Sequence, residues 1–228
     1  MNRYLKFFTL IIIGVSFAFS GCEKKVNVSK LTLIPDKCVL KVEETIQLTA
    51  IVSPDNADDK SIRWNITTLW MTDTAAAPAV ASISDNGKVK GLAEGWAIAT
   101  GITNNMFCEA STEVFVGYAA AVDAAYSGTL QKNKDVISTA AQIAIRRTSE
   151  YEAQFFLHFV EKGFFCDVSV DYISGKLEFS GETTLESEDS TIPVKVSGSV
   201  TLDGLGGFTI IAGDDTYEFA GLKVPRTV

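Results

Sequence analysis

Apolar and polar residues alternate one by one through most of the chain after residue 30. In residues 45–52, Ile46, Leu48 and Ala50 fall on one side of an extended chain, and the residues between them are mostly polar. A period of two is typical of strands that have one buried face. Helical periodicity is almost absent, so the sequence predicts an all-β protein.

Turn residues divide the alternating segments into short strands. Pro54-Asp55-Asn56 ends one strand, and Asp85-Asn86-Gly87 is a hairpin signal because adjacent residues in such a turn need positive φ. Short strands at this spacing favour a β-sandwich for the first half of the chain.

Several motifs of the first half follow one another in a fixed order. They are Glu44-Thr45, Leu48-Thr49-Ala50, Pro54 to Ala57, Trp64, Asn86 to Val89, and Val114 with Val116. This order resembles the bacterial immunoglobulin-like domain of group 2, although Glu43 replaces the family's usual glycine and residues 68–79 are an insertion. The resemblance implies a sandwich over residues 31–117 with Trp64 in its core.

The same resemblance implies a disulfide. In this topology the second half of the first strand lies beside the last strand, and Cys38 and Cys108 fall on those two segments. Export favours oxidation of such a pair. Cys166 shares a face with Phe164 and Val168, so we expect it to stay reduced and buried.

The second half contains eight further alternating segments. They cover approximately residues 124–131, 136–147, 150–160, 164–172, 175–181, 191–202, 206–212 and 215–222. Eight sequential antiparallel strands leave exposed edges unless the sheet closes, which favours an up-and-down barrel. The stretches YSGTL, IPVKVSGSV and FAGLK are similar to a calycin-like barrel domain of gut Bacteroidetes lipoproteins, which implies a small barrel over residues 124–228. Residues 118–123 are interpreted as the linker.

The barrel interior is expected to be filled by side chains, without a cavity of lipocalin size. Short strands make a shallow barrel, and the candidate inward residues are bulky. They are Phe155, Leu157, Phe159, Phe164, Tyr172, Leu177, Phe179, Phe208, Ile210, Tyr217 and Phe219.

The N-terminus has the layout of a cleaved secretory signal. Arg3 and Lys6 precede an apolar run from Phe7 to Phe19, which is too short to span a bilayer. Ser20 and Gly21 lead directly into Cys22, an arrangement that resembles the lipobox of bacterial lipoproteins although Phe19 departs from the usual Leu or Val. The resemblance implies that residues 1–21 are removed, that Cys22 is lipidated, and that residues 22–30 form a tether. No later stretch is long enough to cross a membrane.

Net charge and the counts of cysteine and histidine argue against several classes of function. The signal carries two of the 20 basic residues and no acid, so its removal changes the net charge from −8 to −10. Such a surface repels phosphate backbones, so no nucleic-acid partner is expected. The four cysteines show no close pairing, and the chain has one histidine, His158. We therefore expect no metal site, no cofactor and no enzymatic activity.

Polar and aromatic residues on one outer face of the barrel are the candidate binding surface. Gln154, Phe156 and His158 alternate with the predicted inward residues of their strand. A partly exposed histidine on such a mixed face is expected to be a surface residue and not a catalytic one. Two tripeptides, Asp73-Thr74-Ala75 and Asp189-Ser190-Thr191, resemble the sites that Bacteroidetes O-glycosylate.

These features predict a cell-envelope lipoprotein of the outer membrane that binds or scaffolds without catalysis. The immunoglobulin-like domain would be a spacer that presents the barrel to a glycan or a protein. The alternative is a carrier that holds a small apolar molecule inside the barrel. Glu23-Lys24-Lys25 contains a single acid, which leaves open whether the protein faces the periplasm or the cell surface.

Overall fold

A computed structural model describes residues 24–69, 78–158, 163–187 and 190–225, with the backbone alone for residues 158, 163 and 187. Its regular structure is almost entirely antiparallel strand, arranged as a β-sandwich followed by a closed barrel. The predicted all-β fold class is confirmed. Cys22, the signal region and Asp73-Thr74-Ala75 lie outside the described residues, and so does Asp189.

The sandwich contains strands β1 to β9. They are Lys30–Ile34, Lys37–Leu40, Thr45–Gln47, Thr49–Ser53, Ile62–Leu69, Ala81–Ile83, Lys88–Gly91, Gly95–Thr103 and Glu109–Val116. One sheet has the order β2-β9-β8-β5 and another the order β3-β7-β6, while β1 pairs with β4. Strands β2 and β9 are parallel; the other pairs are antiparallel.

Alternation along each strand supplies the sandwich core. Every second residue of β8 is buried, from Gly95 to Thr103. Leu48 is buried, and Ile46, Ala50 and Val52 are half-buried while the residues between them are exposed. The predicted half-buried strands are therefore confirmed. The buried residues that pack together here are Cys38, Leu40, Leu48, Val80, Ala81, Val89, Ala97, Ala99, Val114 and Val116.

The Asp85-Asn86-Gly87 turn connects β6 to β7, as predicted. Gly87 has φ of 80°, a conformation that L side chains rarely adopt. Its amide donates to the Ser84 carbonyl oxygen at 2.9 Å. Trp64, half-buried beside the core, lies over this turn so closely that a Cβ on Gly87 would be 2.7 Å from its ring. The turn therefore needs glycine for its backbone and for the room that Trp64 occupies.

The barrel contains strands β10 to β17. They are Ala124–Lys132, Asp135–Arg147, Glu152–His158, Gly163–Ile173, Lys176–Ser187, Ser190–Thr201, Leu205–Ala212 and Asp215–Lys223. Each strand pairs with the next one in the chain, and β17 pairs back with β10. The predicted eight-stranded up-and-down barrel is confirmed.

Three glycines lie in line across the strands that complete the closure. Gly128 of β10 pairs with Gly221 of β17, which pairs with Gly206 of β16. A Cβ on Gly128 would overlap the carbonyl oxygen of Ala220. Glycine at such positions lets neighbouring backbones approach closely where a sheet curves sharply.

Aromatic rings interlock inside the barrel around Phe208. Its ring centroid lies 5.1 Å from Phe179, 5.2 Å from Phe219, 5.4 Å from Tyr126 and 5.6 Å from Phe155. These distances are typical of packed aromatic pairs. Side chains therefore fill the interior in the part of the barrel that the structure describes, as predicted.

Most of the predicted inward residues are buried. Tyr172 is an exception because it lies near the end of β13, where it is partly exposed and contacts the ring of Tyr118 at 6.0 Å. Tyr217 is half-buried beside the core, and Phe159 lies outside the described residues. Tyr126 was missed, because its strand is rich in small residues that hide the alternation.

The predicted linker is a short helix, α1, covering Tyr118–Val122. Its three alanines and Val122 are buried. Ala119, Ala121 and Val122 belong to the same apolar cluster as the barrel interior. The hydroxyl of Tyr126 donates to the Val122 carbonyl oxygen at 2.9 Å. Small side chains are required because the helix packs directly onto the barrel core.

Direct contacts join the two domains on both sides of this helix. Lys37 of β2 donates to the carbonyl oxygen of Leu202, at the end of the barrel strand β15, at 3.2 Å. Glu150 accepts a hydrogen bond from the Val42 amide at 3.1 Å. Phe115 of β9 is buried with the barrel core. The sandwich is therefore packed against the barrel.

The predicted disulfide between Cys38 and Cys108 is wrong, because both cysteines are free. Strand β2 pairs with β9 in a register that puts Cys38 beside Val114, six residues after Cys108. Six residues of strand span about 20 Å. The adjacent strands were correctly identified, but their register separates the two sulfurs.

Replacing Phe208 tests the packing of the barrel interior. We expect Phe208→Ala to lower the free energy of unfolding by about 3–5 kcal/mol, because it removes a ring that contacts four others. The matched control is Leu222→Ala, whose side chain is 62% exposed and whose loss should cost under about 0.5 kcal/mol. Urea denaturation measures both, and equal losses would contradict a packed interior.

Alanine substitution at two glycines distinguishes the cost of a left-handed backbone from the cost of a steric clash. Gly175 has φ of 83° with nothing near its missing Cβ, whereas Gly87 has φ of 80° beneath Trp64. We expect Gly175→Ala to cost about 1–2 kcal/mol from the left-handed backbone alone. Gly87→Ala should cost about 1–3 kcal/mol more, because the methyl group meets the ring. The comparison requires urea unfolding of both variants, and similar costs would show that Trp64 moves away freely.

The thiols should differ in reactivity. Burial raises the pKa of Cys38 to about 12 and that of Cys166 to about 11, so neither forms the reactive thiolate at pH 8. Cys108 is partly exposed. We expect a disulfide reagent to modify Cys108 first in the folded protein, and Cys38 and Cys166 only after unfolding. Rapid labelling of Cys166 in the native state would contradict its buried position.

Candidate functional site

Two of the three predicted binding residues, Gln154 and Phe156, lie on the outer face of strand β12. Gln154 and Phe156 are half-buried on this face, and the backbone of His158 ends β12, while the His158 side chain lies outside the described part. The barrel core takes up the alternate residues of β12, so Gln154 and Phe156 point outward. The structure therefore brings two of the three predicted residues together on one surface.

An aromatic pair forms one end of this surface. Phe156 is directly opposite Phe165 in the antiparallel register, and the two ring centroids are 4.5 Å apart with planes inclined by 30°. Phe165 is 58% exposed. On β13, Phe165 directly follows the inward residue Phe164, so it points outward, and the hairpin register brings it opposite Phe156.

A polar groove continues from the aromatic pair along the same two strands. Its volume is about 400 Å³, and it is lined by Thr148, Glu152, Asp167, Val168 and Ser169. The amide of Gln154 connects the two parts, because its nitrogen donates to Asp167 at 3.4 Å. We call the combined surface the outer-face patch.

The outer-face patch combines two kinds of contact. Its carboxylates accept hydrogen bonds, and its hydroxyls both donate and accept them. The rings of Phe156 and Phe165 add an exposed apolar surface beside these groups. On the neighbouring strand β11, Arg146 is directly opposite Gln154. The Arg146 guanidinium lies 3.7 Å from the Asp123 carboxylate. A ligand with both an apolar face and hydroxyl groups matches this arrangement.

A cleft between the two domains was not anticipated from the sequence. It has a volume of about 420 Å³ and is lined by Lys37, Trp96, Ile98, Glu113, Phe115, Leu202, Asp203, Lys223, Val224 and Pro225. Trp96 and Phe115 are nearly parallel, with centroids 6.2 Å apart.

The charged groups of the cleft are engaged between the domains. Lys37 lies 3.8 Å from Glu113 and 3.9 Å from Asp203. The Lys223 ammonium donates to the Ala121 carbonyl oxygen at 3.2 Å and lies 5.2 Å from the centre of the Phe115 ring. The contacts of Lys37 with Asp203 and of Lys223 with Phe115 join the sandwich to the barrel, so the cleft is interpreted as part of the domain joint.

Three tyrosines cluster on another side of the joint. The ring of Tyr118 lies 5.4 Å from Tyr151, edge to face, and 6.0 Å from Tyr172. The hydroxyl of Tyr151 donates to Glu150 at 2.8 Å, and this bond is the main cause that raises the pKa of Tyr151 to about 12. The inclined rings do not form a flat platform, and Glu150 also binds the sandwich.

The carboxylates of Asp59 and Asp215, each in a turn rich in acidic residues, are engaged by neighbouring side chains and amides. Asp59 accepts hydrogen bonds from the side-chain amide of Asn104 at 3.0 Å and from the backbone amide of Ser61 at 2.9 Å. These bonds lower the pKa of Asp59 to about 2. Asp215 pairs with Lys132 at 2.7 Å. Within the described ranges, no group of three or more His, Cys, Asp or Glu side chains is arranged to hold a metal ion.

Comparison with known proteins identifies the first domain. No curated protein matches the chain. Among the residues that the structure describes, no helix is long and apolar enough to cross a membrane. Residues 27–114 match the family described as Bacterial Ig-like domain (group 2), and these residues contain the sandwich strands β1 to β8 and most of β9. The chain therefore carries a bacterial immunoglobulin-like domain of group 2, followed by a closed eight-stranded antiparallel barrel.

Proposed function

We propose that this protein is a non-enzymatic, lipid-anchored binding protein of the bacterial outer membrane. In this proposal Cys22 carries the lipid, the immunoglobulin-like domain is a spacer, and the outer-face patch of the barrel binds a glycan. The observation that carries the proposal is the pair of half-buried Phe156 and exposed Phe165 beside a groove of carboxylates and hydroxyls.

The positions of the chain ends support a spacer. Strand β9 begins at Glu109, near the N-terminal segment, since the Cys108 sulfur lies 3.8 Å from the Val28 carbonyl oxygen. The strand ends at Val116, directly before Gly117 and the helix that packs on the barrel. Its eight residues span about 27 Å. A lipid on Cys22 would therefore be at the end of the sandwich away from the barrel.

The chemistry of the outer-face patch favours a glycan. A pyranose ring has apolar C–H faces and a rim of hydroxyl groups, so it stacks on aromatic rings and hydrogen-bonds at its edge. Phe165 supplies the exposed ring, while Glu152 and Asp167 supply acceptors in the groove. Two carboxylates together would disfavour an anionic ligand, which points to neutral sugars.

The filled barrel argues against the alternative of a carrier. A site for a small apolar molecule needs a cavity of about 300–1,000 Å³. The rings around Phe208 occupy the corresponding space in the part of the barrel that the structure describes. The non-enzymatic proposal rests on the single histidine, His158, because a Ser-His-Asp or Cys-His arrangement would have to use this residue, which alternation puts on a mixed outer face.

Alanine substitution of the aromatic pair tests the glycan proposal. We expect the purified protein to bind a neutral polysaccharide on a glycan array. Phe165→Ala should weaken this binding by about tenfold in isothermal titration, which corresponds to about 1.4 kcal/mol, because it removes the exposed stacking surface. Phe156→Ala should weaken it to a similar degree.

Ile211→Ala is the matched control, because Ile211 is 44% exposed on a different barrel strand. It should leave the affinity unchanged. An unchanged affinity in Phe165→Ala would place the glycan elsewhere. Binding to proteins of the cell envelope with no binding to any polysaccharide would replace the glycan with a protein partner.

A further inference from the structure

The loop between β8 and β9 carries an exposed pair of large apolar side chains. Met106 is 71% exposed and Phe107 is 79% exposed, more than any other large apolar residue in the part of the chain that the structure describes. Single exposed apolar residues are common on protein surfaces. Two neighbours at the tip of one loop form a small apolar projection, which we call the apolar tip.

Three consecutive backbone amides of this loop donate hydrogen bonds to acceptors within the loop. The Met106 amide donates to the Thr103 carbonyl oxygen at 2.7 Å, and the Phe107 amide donates to the Asn105 side chain at 3.2 Å. The Cys108 amide donates to the Thr103 hydroxyl at 3.1 Å. Backbone groups that enter a bilayer must have partners within the protein. The three amides at the tip of the loop therefore meet this requirement before any contact with lipid.

The apolar tip lies at the N-terminal end of the sandwich. The Cys108 sulfur contacts the Val28 carbonyl oxygen. On the other side of the tip, the backbone amide of Asn104 donates to the Ser61 carbonyl oxygen at 3.1 Å. Val28 is six residues after Cys22, and six extended residues span at most about 20 Å. A lipid on Cys22 would thus keep Val28 within this distance of the membrane surface, and the apolar tip directly precedes the cysteine that contacts Val28.

Basic residues surround the same end. Lys24 and Lys25 follow Cys22 closely, and Lys60 lies in the loop beside Asn104. Ammonium groups are suited to the phosphate region of a bilayer. The adjacent carboxylates of Asp58 and Asp59 accept hydrogen bonds from the Val26 and Asn104 nitrogens and remain charged. Their repulsion from anionic headgroups opposes the attraction of the lysines, so the apolar tip has to supply most of the affinity.

We propose that Met106 and Phe107 insert into the interfacial region of the phospholipid bilayer that holds the Cys22 lipid. The inference rests on the proposed lipid anchor and adds a second point of attachment. A single flexible tether would leave the sandwich free to tilt. Two attachments at one end would align β9 away from the membrane and direct the barrel outward.

Tryptophan fluorescence tests the insertion in the full lipidated protein. Phe107→Trp is compared with Leu222→Trp, which puts the same probe at an exposed barrel position; the three native tryptophans are common to both. Each variant is reconstituted into vesicles of phosphatidylethanolamine and phosphatidylglycerol, with and without brominated acyl chains. We expect several-fold greater quenching of the probe at position 107.

Intact mass of the same preparations separates the two proposals. A lipidated, vesicle-bound protein whose two probes are quenched equally would overturn the insertion and leave the anchor intact. A mass without lipid would overturn the anchor, and the insertion that rests on it. Circular dichroism of both variants should match the unsubstituted protein, since each substitution is at an exposed side chain.

Discussion

The pairing of β10 with β17 is the constraint on which the barrel depends. Closure removes the two edges of an eight-stranded sheet, and it also fixes the space that the inward side chains must fill. The ring of Phe208 and its neighbours fill that space. Because the apolar residues of each strand are used inside, aromatic residues on the outer face, such as Phe165, have no structural partner in the core.

The same closed barrel determines how the two domains are joined. Its core extends onto α1 and Phe115, so the connection contributes to packing and does not act as a flexible tether. Polar contacts across the joint, such as Lys37 with Leu202 and Glu150 with Val42, lie around this apolar centre. This combination suits a protein that presents one surface in a fixed direction.

Patterns with a period of two predicted the strands well, because burial on one face is recorded residue by residue in the sequence. The eight barrel strands were found this way, and so was the outward position of Gln154 and Phe156. The register between strands could not be predicted in this way, because it depends on how two separate strands align. The positions of Cys38 beside Val114 and of Phe165 beside Phe156 could not be read from either strand alone. The helix at Tyr118–Val122 was also missed, because five small or apolar residues are too few to show a helical period.

The glycine row at Gly128, Gly221 and Gly206 has a consequence for the order of folding. It joins the first barrel strand to the last two, so this corner cannot form until nearly the whole chain is present. Contacts between distant segments make folding slow, and an unclosed sheet exposes edges that can pair with other chains. The sandwich, whose strands all precede the barrel, has no such delay. A chain of this design would therefore complete its N-terminal sandwich first and would depend on the last strand, β17, to bury the edges of the barrel.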